Sequence, residues 1–153
     1  MNLTSSNVPK RKLTLLNQPY LIELKTQGTD DTGLLTVAEQ TGDIPFDIKR
    51  VYWTYGVPED HTRGHHAHFT TQQVLVAAAG TIIVELEGVT DKEKTTFVLD
   101  SPQVGLYIPP KTWRILQYFD NAIQIVFASI DYSEEDYIRN YDAFKRLNLF
   151  QGS

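Results

Sequence analysis

His66 and His68 are separated by one residue, so in an extended strand both imidazoles leave the chain on the same face. Such a pair can bind a divalent ion, provided further oxygen or nitrogen ligands complete the set. It can also move protons, because imidazole titrates near neutral pH. The residues that follow favour the second use. Gln73, a neutral amide, stands at the spacing where a carboxylate ligand would be expected. Arg114, which closes the run Pro109-Pro110-Lys111-Thr112-Trp113-Arg114, stands where a last ligand would be needed. A guanidinium stays protonated at any useful pH and repels a cation. The pair therefore points to acid/base chemistry by histidine, with no metal and no other cofactor.

Other side chains could serve the same chemistry. Arg50 and Tyr52 fall on one face of a predicted strand, and the Tyr52 phenol can both donate and accept a proton. The plain alternative for Tyr52 is a buried ring with its hydroxyl on a backbone group. Gln73 offers an amide to a ligand or orients a histidine. Arg63, just before Gly64, has a fork that matches two phosphate oxygens, although a solvated loop charge would look the same in sequence. Arg114 on a barrel-facing position is costly to bury without a polar or anionic partner. His61 in a polar turn and His65, on the opposite side from His66, read as surface residues, and Trp113 reads as core.

Short β-branched and aromatic runs, punctuated by turn residues, would position these groups. Strands are predicted over 20–25, 34–39, 49–55, 67–69, 73–78, 81–86, 95–99, 105–108, 114–119 and 123–129, with Gly80, Gly88 and Asp120-Asn121 as turns. In the run from Thr81, residues Ile82, Val84 and Leu86 share one face. One helix is predicted near the C-terminus, capped by Ser133, with Tyr137, Tyr141 and Phe144 as an apolar stripe that packs on the barrel or on a second subunit. Residues 1–12 read as a flexible leader, 13–147 as a single domain, and 148–153 as a tail whose Gly152-Ser153 resembles a cloning remnant.

The 153 residues suffice for one domain with a real core. A net charge of −5 argues against nucleic acid as a partner but leaves room for one small anion held by a few arginines. No apolar run approaches a membrane span and no signal pattern opens the chain, so a cytoplasmic protein without a membrane partner is expected. The absence of cysteine removes disulfides, thiolate metal sites and a thiol nucleophile.

The histidine pair with Gln73 and Gly80, and the later run ending at Arg114, resembles the two motifs of cupin barrels with the metal ligands replaced. More specifically, Arg50-Val51-Tyr52, Val57-Pro58, Arg63-Gly64-His65-His66-Ala67-His68, Gln73, Gly80, Gly105-Leu106-Tyr107-Ile108-Pro109-Pro110 and Trp113 resemble the sugar 3,4-ketoisomerases acting on dTDP-4-oxo-6-deoxyglucose. The run Asp131-Tyr132-Ser133-Glu134-Glu135-Asp136-Tyr137-Ile138-Arg139, then Tyr141-Asp142, is similar to theirs as well. The resemblance extends from about Leu21 to Phe144. It implies an all-β, cupin-type double-stranded β-helix (jelly roll) with a short C-terminal helix. It also implies a homodimer with exchanged N-terminal strands and a dTDP-linked nucleotide-sugar as substrate. By the same resemblance His66 is the base, Tyr52 moves a proton between sugar oxygens, His68 assists, and Arg50, Arg63 and Gln73 contact the nucleotide-sugar.

One position departs from the family pattern. Asp-x-Arg-Gly, or an aromatic in place of that Arg, is replaced here by Asp30-Asp31-Thr32-Gly33. Thr32 and Arg114 are together expected to contact the sugar and to set the product configuration, with Arg114 favouring the gluco-configured 3-oxo product. Two competing readings are a metal-dependent cupin oxygenase, which needs a third ligand, and a sugar-nucleotide-binding module without turnover.

Overall fold

The computed structural model describes residues 17–40, 42–90 and 93–147. The expected leader and tail lie outside the described residues. Ten strands run in the order β1 (Tyr20–Glu23), β2 (Lys25–Thr29), β3 (Gly33–Val37), β4 (Arg50–Thr54), β5 (Thr62–His68), β6 (Gln73–Gly88), β7 (Lys94–Leu99), β8 (Val104–Ile108), β9 (Thr112–Ala128) and β10 (Tyr137–Ile138). Among the described residues one α-helix, α1 (Tyr141–Arg146), follows. Among the described residues no helix is long and apolar enough to cross a membrane.

The long strands β6 and β9 pair antiparallel along nearly their whole length, from Gln73↔Ala128 to Gly88↔Thr112. The ladder breaks at Ala77/Ala79 and Ala79/Thr81, where the ribbon bends. On one side of the bend the strand order is β1-β8-β6-β9-β4, and on the other it is β7-β6-β9-β5-β10. Two sheets that share their central strands form a jelly roll.

Gly80 and Asp120-Asn121 were expected to be turns separating four short strands. They form a bulge inside two continuous ones. Asp120 and Asn121 adopt φ of 56° and 52°, and Gly80 a φ of 67°. A Cβ on Gly80 would lie 2.6 Å from the Ala122 Cα and the Phe119 carbonyl oxygen, so only glycine fits. Extra residues shift the side-chain phase. On β6 the face turned to the central core changes from odd positions (Leu75, Ala77) to even ones (Ile82, Val84, Leu86), and both sets meet in one core with Leu106, Ile108, Leu116, Tyr118 and Val126.

The other faces are closed locally. Ile44 and Phe46 cover Val74, Val76 and Tyr107 on one sheet. On the other, Phe144 and Ile138 cover Trp113, Ala67 and Val89, so Trp113 is core as expected. The C-terminal helix is shorter than its apolar stripe suggested. Ser133 makes no side-chain cap and opens only a 3₁₀ turn over Glu134–Asp136. Tyr137 and Ile138 leave helical geometry to pair with His68 and Ala67. The α-helix starts after Asn140, whose side-chain oxygen accepts from the Ala143 N–H at 2.8 Å.

Candidate active site

The interior end of the roll opens into a cleft of about 540 Å³. Its walls come from β4 (Arg50, Tyr52, Thr54), β5 (Thr62 to His66), β6 (Gln73, Leu75) and β9 (Arg114, Leu116, Tyr118, Gln124), with Tyr132, Tyr137 and Arg139 along one rim. Alternation on β4 explains the first wall. Arg50, Tyr52 and Thr54 face the cleft, whereas Val51 and Trp53 are exposed on the far face.

A second bulge aims the histidines. Gly64 pairs with Ile115 and His66 with Arg114, leaving His65 as the extra residue. Gly64 and His65 have φ of 89° and 54°. A Cβ on Gly64 would come within 2.7 Å of the Arg114 carbonyl oxygen, which excludes any side chain at that crossing. His65, expected to point away, sits at the cleft wall with its Nε2 2.8 Å from the Thr62 hydroxyl. His61 lines the cleft too. Both are exposed, as their reading as surface residues expects, but the surface they occupy is the cleft mouth, to which the bulge at His65 turns that side chain.

The His66 Nδ1 lies 2.9 Å from the Gly64 carbonyl oxygen, and a carbonyl can only accept. That contact fixes the proton on Nδ1 and leaves Nε2 with a free lone pair. Burial, helped by the Arg114 cation, pulls the imidazole down to about 4. His66 is therefore a neutral base across the physiological range. His68 lies behind it, 1% exposed and outside the cleft lining, with the two rings edge to face at 5.0 Å. Burial and Arg114 lower His68 to about 2. Its Nδ1 is 3.5 Å from Asp136 Oδ2, and that carboxylate also accepts from the backbone and hydroxyl groups of Thr70 and Thr71.

Arg114 is 2% exposed and donates from Nη1 to Gln73 Oε1 and from Nη2 to the Thr112 carbonyl at 3.1 Å. Among the described residues its Nε has no hydrogen-bond partner and no carboxylate pairs with it. Burial lowers the guanidinium to about 10, which still leaves it charged. Gln73 passes the polarity on, its Nε2 donating to the Tyr52 hydroxyl oxygen at 3.0 Å. With its oxygen accepting, the Tyr52 proton is free to point elsewhere, and burial raises the phenol above its ordinary value. Arg50 stacks its guanidinium 5.2 Å from the Tyr52 ring and leaves Nε unpaired. Arg63 is exposed at the mouth.

The structure thus gathers His66, Tyr52, Gln73, Arg114, Arg50 and Arg63 around one cleft, with His68 immediately behind. Thr32 is not among them, contrary to the expectation that it contacts the sugar. It occupies the exposed turn of the β2–β3 hairpin, its hydroxyl 2.8 Å from that of Thr29. Hairpin pairing of β2 with β3 alone carries this turn away from its own chain's cleft. Among the described residues no three His, Asp or Glu side chains gather as a metal-ligand set. Tyr137, read from sequence as part of a helix's apolar packing stripe, lines the cleft instead, and Arg139 lines it too.

A jelly roll whose cleft carries His66 and a buried Arg114 is a cupin-type fold. The FdtA family, described as WxcM-like, C-terminal, matches residues 17–148, and the chain belongs to it. The TDP-4-oxo-6-deoxy-alpha-D-glucose-3,4-oxoisomerase of Aneurinibacillus thermoaerophilus is 42% identical over 118 residues, 76% of this chain and 84% of that protein. The sugar 3,4-ketoisomerase QdtA of Thermoanaerobacterium thermosaccharolyticum, solved with TDP, superposes with a TM-score of 0.82 at 38% identity, covering 91% of this chain and 99% of its own. A His-to-Asn variant of QdtA, solved with TDP-4-keto-6-deoxyglucose, gives a TM-score of 0.81 at 37% identity over 88% and 96% of the two chains.

Proposed function

We propose that this protein is a TDP-sugar 3,4-ketoisomerase that converts TDP-4-oxo-6-deoxyglucose to a TDP-3-oxo-6-deoxyhexose. The observation that carries this reading is His66, whose Nε2 lone pair is bare, neutral and set beside a buried, uncompensated cation. The relatives' activity agrees with it.

The hydrogen on C3 of a 4-oxo sugar is acidic because the C4 carbonyl accepts the electrons released. His66 Nε2 removes that proton, the C3–C4 bond becomes double, and negative charge grows on O4. Arg114 lies near His66 and its charge opposes that oxyanion. A proton then reaches C4 while the O3 hydroxyl proton passes to O4, with Tyr52 as carrier. The product is a 3-oxo, 4-hydroxy sugar, and one C–H and one O–H have moved with no net redox change. Arg50, Arg63 and Gln73 hold the nucleotide-sugar, and a diphosphate suits the cationic rim. Proton NMR with TDP-4-oxo-6-deoxyglucose in heavy water tests the reaction. Deuterium should enter the sugar ring as the 3-oxo product forms, and binding without exchange would favour a sugar-nucleotide-binding module.

A pH dependence follows with a definite sign. The base works deprotonated, so kcat/KM falls only as pH drops through the His66 value of about 4. An ordinary histidine would give an acid limb near about 6.5. A flat profile from pH 5 to 8 is expected, and an inflection between 6 and 7 would show that burial and Arg114 do not hold the base below an ordinary histidine.

A cytoplasmic homodimer completes the reading. Val51 and Trp53 on β4, Tyr55 just after it, Ile123 on β9 and Leu34 and Leu35 on β3 present exposed apolar side chains that a second copy would cover. Because β1 pairs with β8 of its own chain, the β2–β3 hairpin is the element available for exchange. That exchange would carry Thr32 towards the partner's cleft, where it and Arg114 would set which face of the enediol is protonated. The gluco-configured product is expected. Small H3–H4 and H4–H5 couplings in the trapped product, diagnostic of an axial C4 hydroxyl, would contradict it.

A further inference from the structure

The Tyr137 ring lines the cleft and has no part in the mechanism above. It touches both imidazoles, with ring centroids 5.0 Å from His66 and 4.4 Å from His68, while those two lie 5.0 Å apart. Three flat rings in mutual contact leave none of them free to rotate without displacing another. The Arg139 guanidinium lies 4.1 Å from the Tyr137 ring centroid, and Glu134 holds that guanidinium at 2.6 and 3.0 Å. The backbone supports the arrangement, because Tyr137 pairs in register with His68 and the neighbouring Asp136 carboxylate faces His68 Nδ1. A two-residue strand and the residues that flank it thus bring a ring, a carboxylate and a cation to the histidine pair.

We propose that Tyr137 is a positioning residue of the isomerisation, its ring fixing the plane of His66 so that Nε2 meets the sugar carbon. This rests on the assignment of His66 as base. The His66 Nδ1–carbonyl contact sets the tautomer but is a single hydrogen bond about which the ring can still pivot. Ring contact removes that freedom, and misplacement of a reacting group by about 1 Å can cost about a hundred-fold in rate. Tyr137 also excludes water from His66, whose surroundings are otherwise Arg114 on β9, His65 and His68 on β5, and Arg139 and Glu134 flanking β10.

The test uses Tyr137→Leu and Tyr137→Phe in the full-length protein. With Tyr137→Leu, kcat should fall about ten- to a hundred-fold while KM and the affinity for TDP stay within about two-fold. By NMR, the His66 titration midpoint should rise from about 4 towards the ordinary value of about 6.5 as water enters. Tyr137→Phe keeps the ring and should stay within about three-fold of wild type on the same scale. If Tyr137→Leu lowers the melting temperature sharply, Tyr137→Met, of similar bulk but without a flat ring, is read in its place. An unchanged kcat and midpoint in the ringless variant overturns the proposal. So does a Tyr137→Phe variant as slow as Tyr137→Leu, which would assign the effect to the hydroxyl. The midpoint and TDP affinity are read without turnover, so they judge the ring's role even if the wild-type protein fails to isomerise the sugar.

Discussion

His66→Asn is expected to reduce kcat by about a hundred- to ten-thousand-fold while leaving TDP affinity within about two-fold. Asparagine is close in shape to half of the imidazole and can still face the Gly64 carbonyl through its amide. What it lacks is a basic nitrogen. The loss therefore falls on the transition state, where the C3 proton is in flight, and not on ground-state contacts made by Arg50 and Arg63 at other points of the cleft. Stability should hold or improve slightly at acid pH. His66 is kept neutral in the fold but protonates in the unfolded chain below about pH 6.5, so folding at lower pH opposes a proton that asparagine never binds. Steady-state rates and TDP calorimetry on the same preparation separate the two effects. A variant retaining more than about a tenth of wild-type kcat would remove His66 from the role of base.

What the sequence could disclose divides along a physical line. Alternation is a local property, so the inward set Ile82, Val84 and Leu86 and the shared face of Arg50 and Tyr52 were legible from residue types alone. The same rule fails wherever the ladder skips a residue. It placed His65 on the side away from the cleft, because a bulge in β5 is decided by how closely Gly64 crosses the Arg114 backbone, a contact fifty residues away in the chain. Gly80 and Asp120-Asn121, read as turns from their residue types, have the left-handed backbone of turn residues but bend two continuous strands. Tyr137 fell on an apparent helical stripe with Tyr141 and Phe144. The pairing of its backbone with His68 is a tertiary interaction that overrides a weak local preference. An unused signal was present: Asn140 is a better helix cap than a serine seven residues earlier, and it would have freed Tyr137 from the helix.

Arg114→Met should move activity and stability in opposite directions. Among the described residues the wild-type side chain is a buried cation with one amide and one backbone carbonyl as partners, an unpaired Nε, and no carboxylate within salt-bridge distance. Removing a charge from water without a counter-ion is costly, and replacing such a group by an apolar one of similar length often stabilises a fold by about 1–4 kcal/mol. Methionine leaves the Gln73 Oε1 without its donor, which offsets part of that gain, yet Gln73 keeps its bond to Tyr52 and borders a wet cleft. A rise in melting temperature is the expected net result. Catalysis should suffer, since the enediolate oxygen loses the one fixed cation buried beside His66. Loss of a single preorganised oxyanion partner costs about a hundred- to a thousand-fold in kcat. The neutral environment also relaxes His66, because the Arg114 charge no longer disfavours its protonation, and the acid limb of the rate profile should move above pH 4. A melting curve and a pH–rate series on this one variant decide the matter. A protein that becomes less stable and loses no activity would mean that Arg114 is a packing residue, and that the charge opposing the enediolate comes from elsewhere in the cleft.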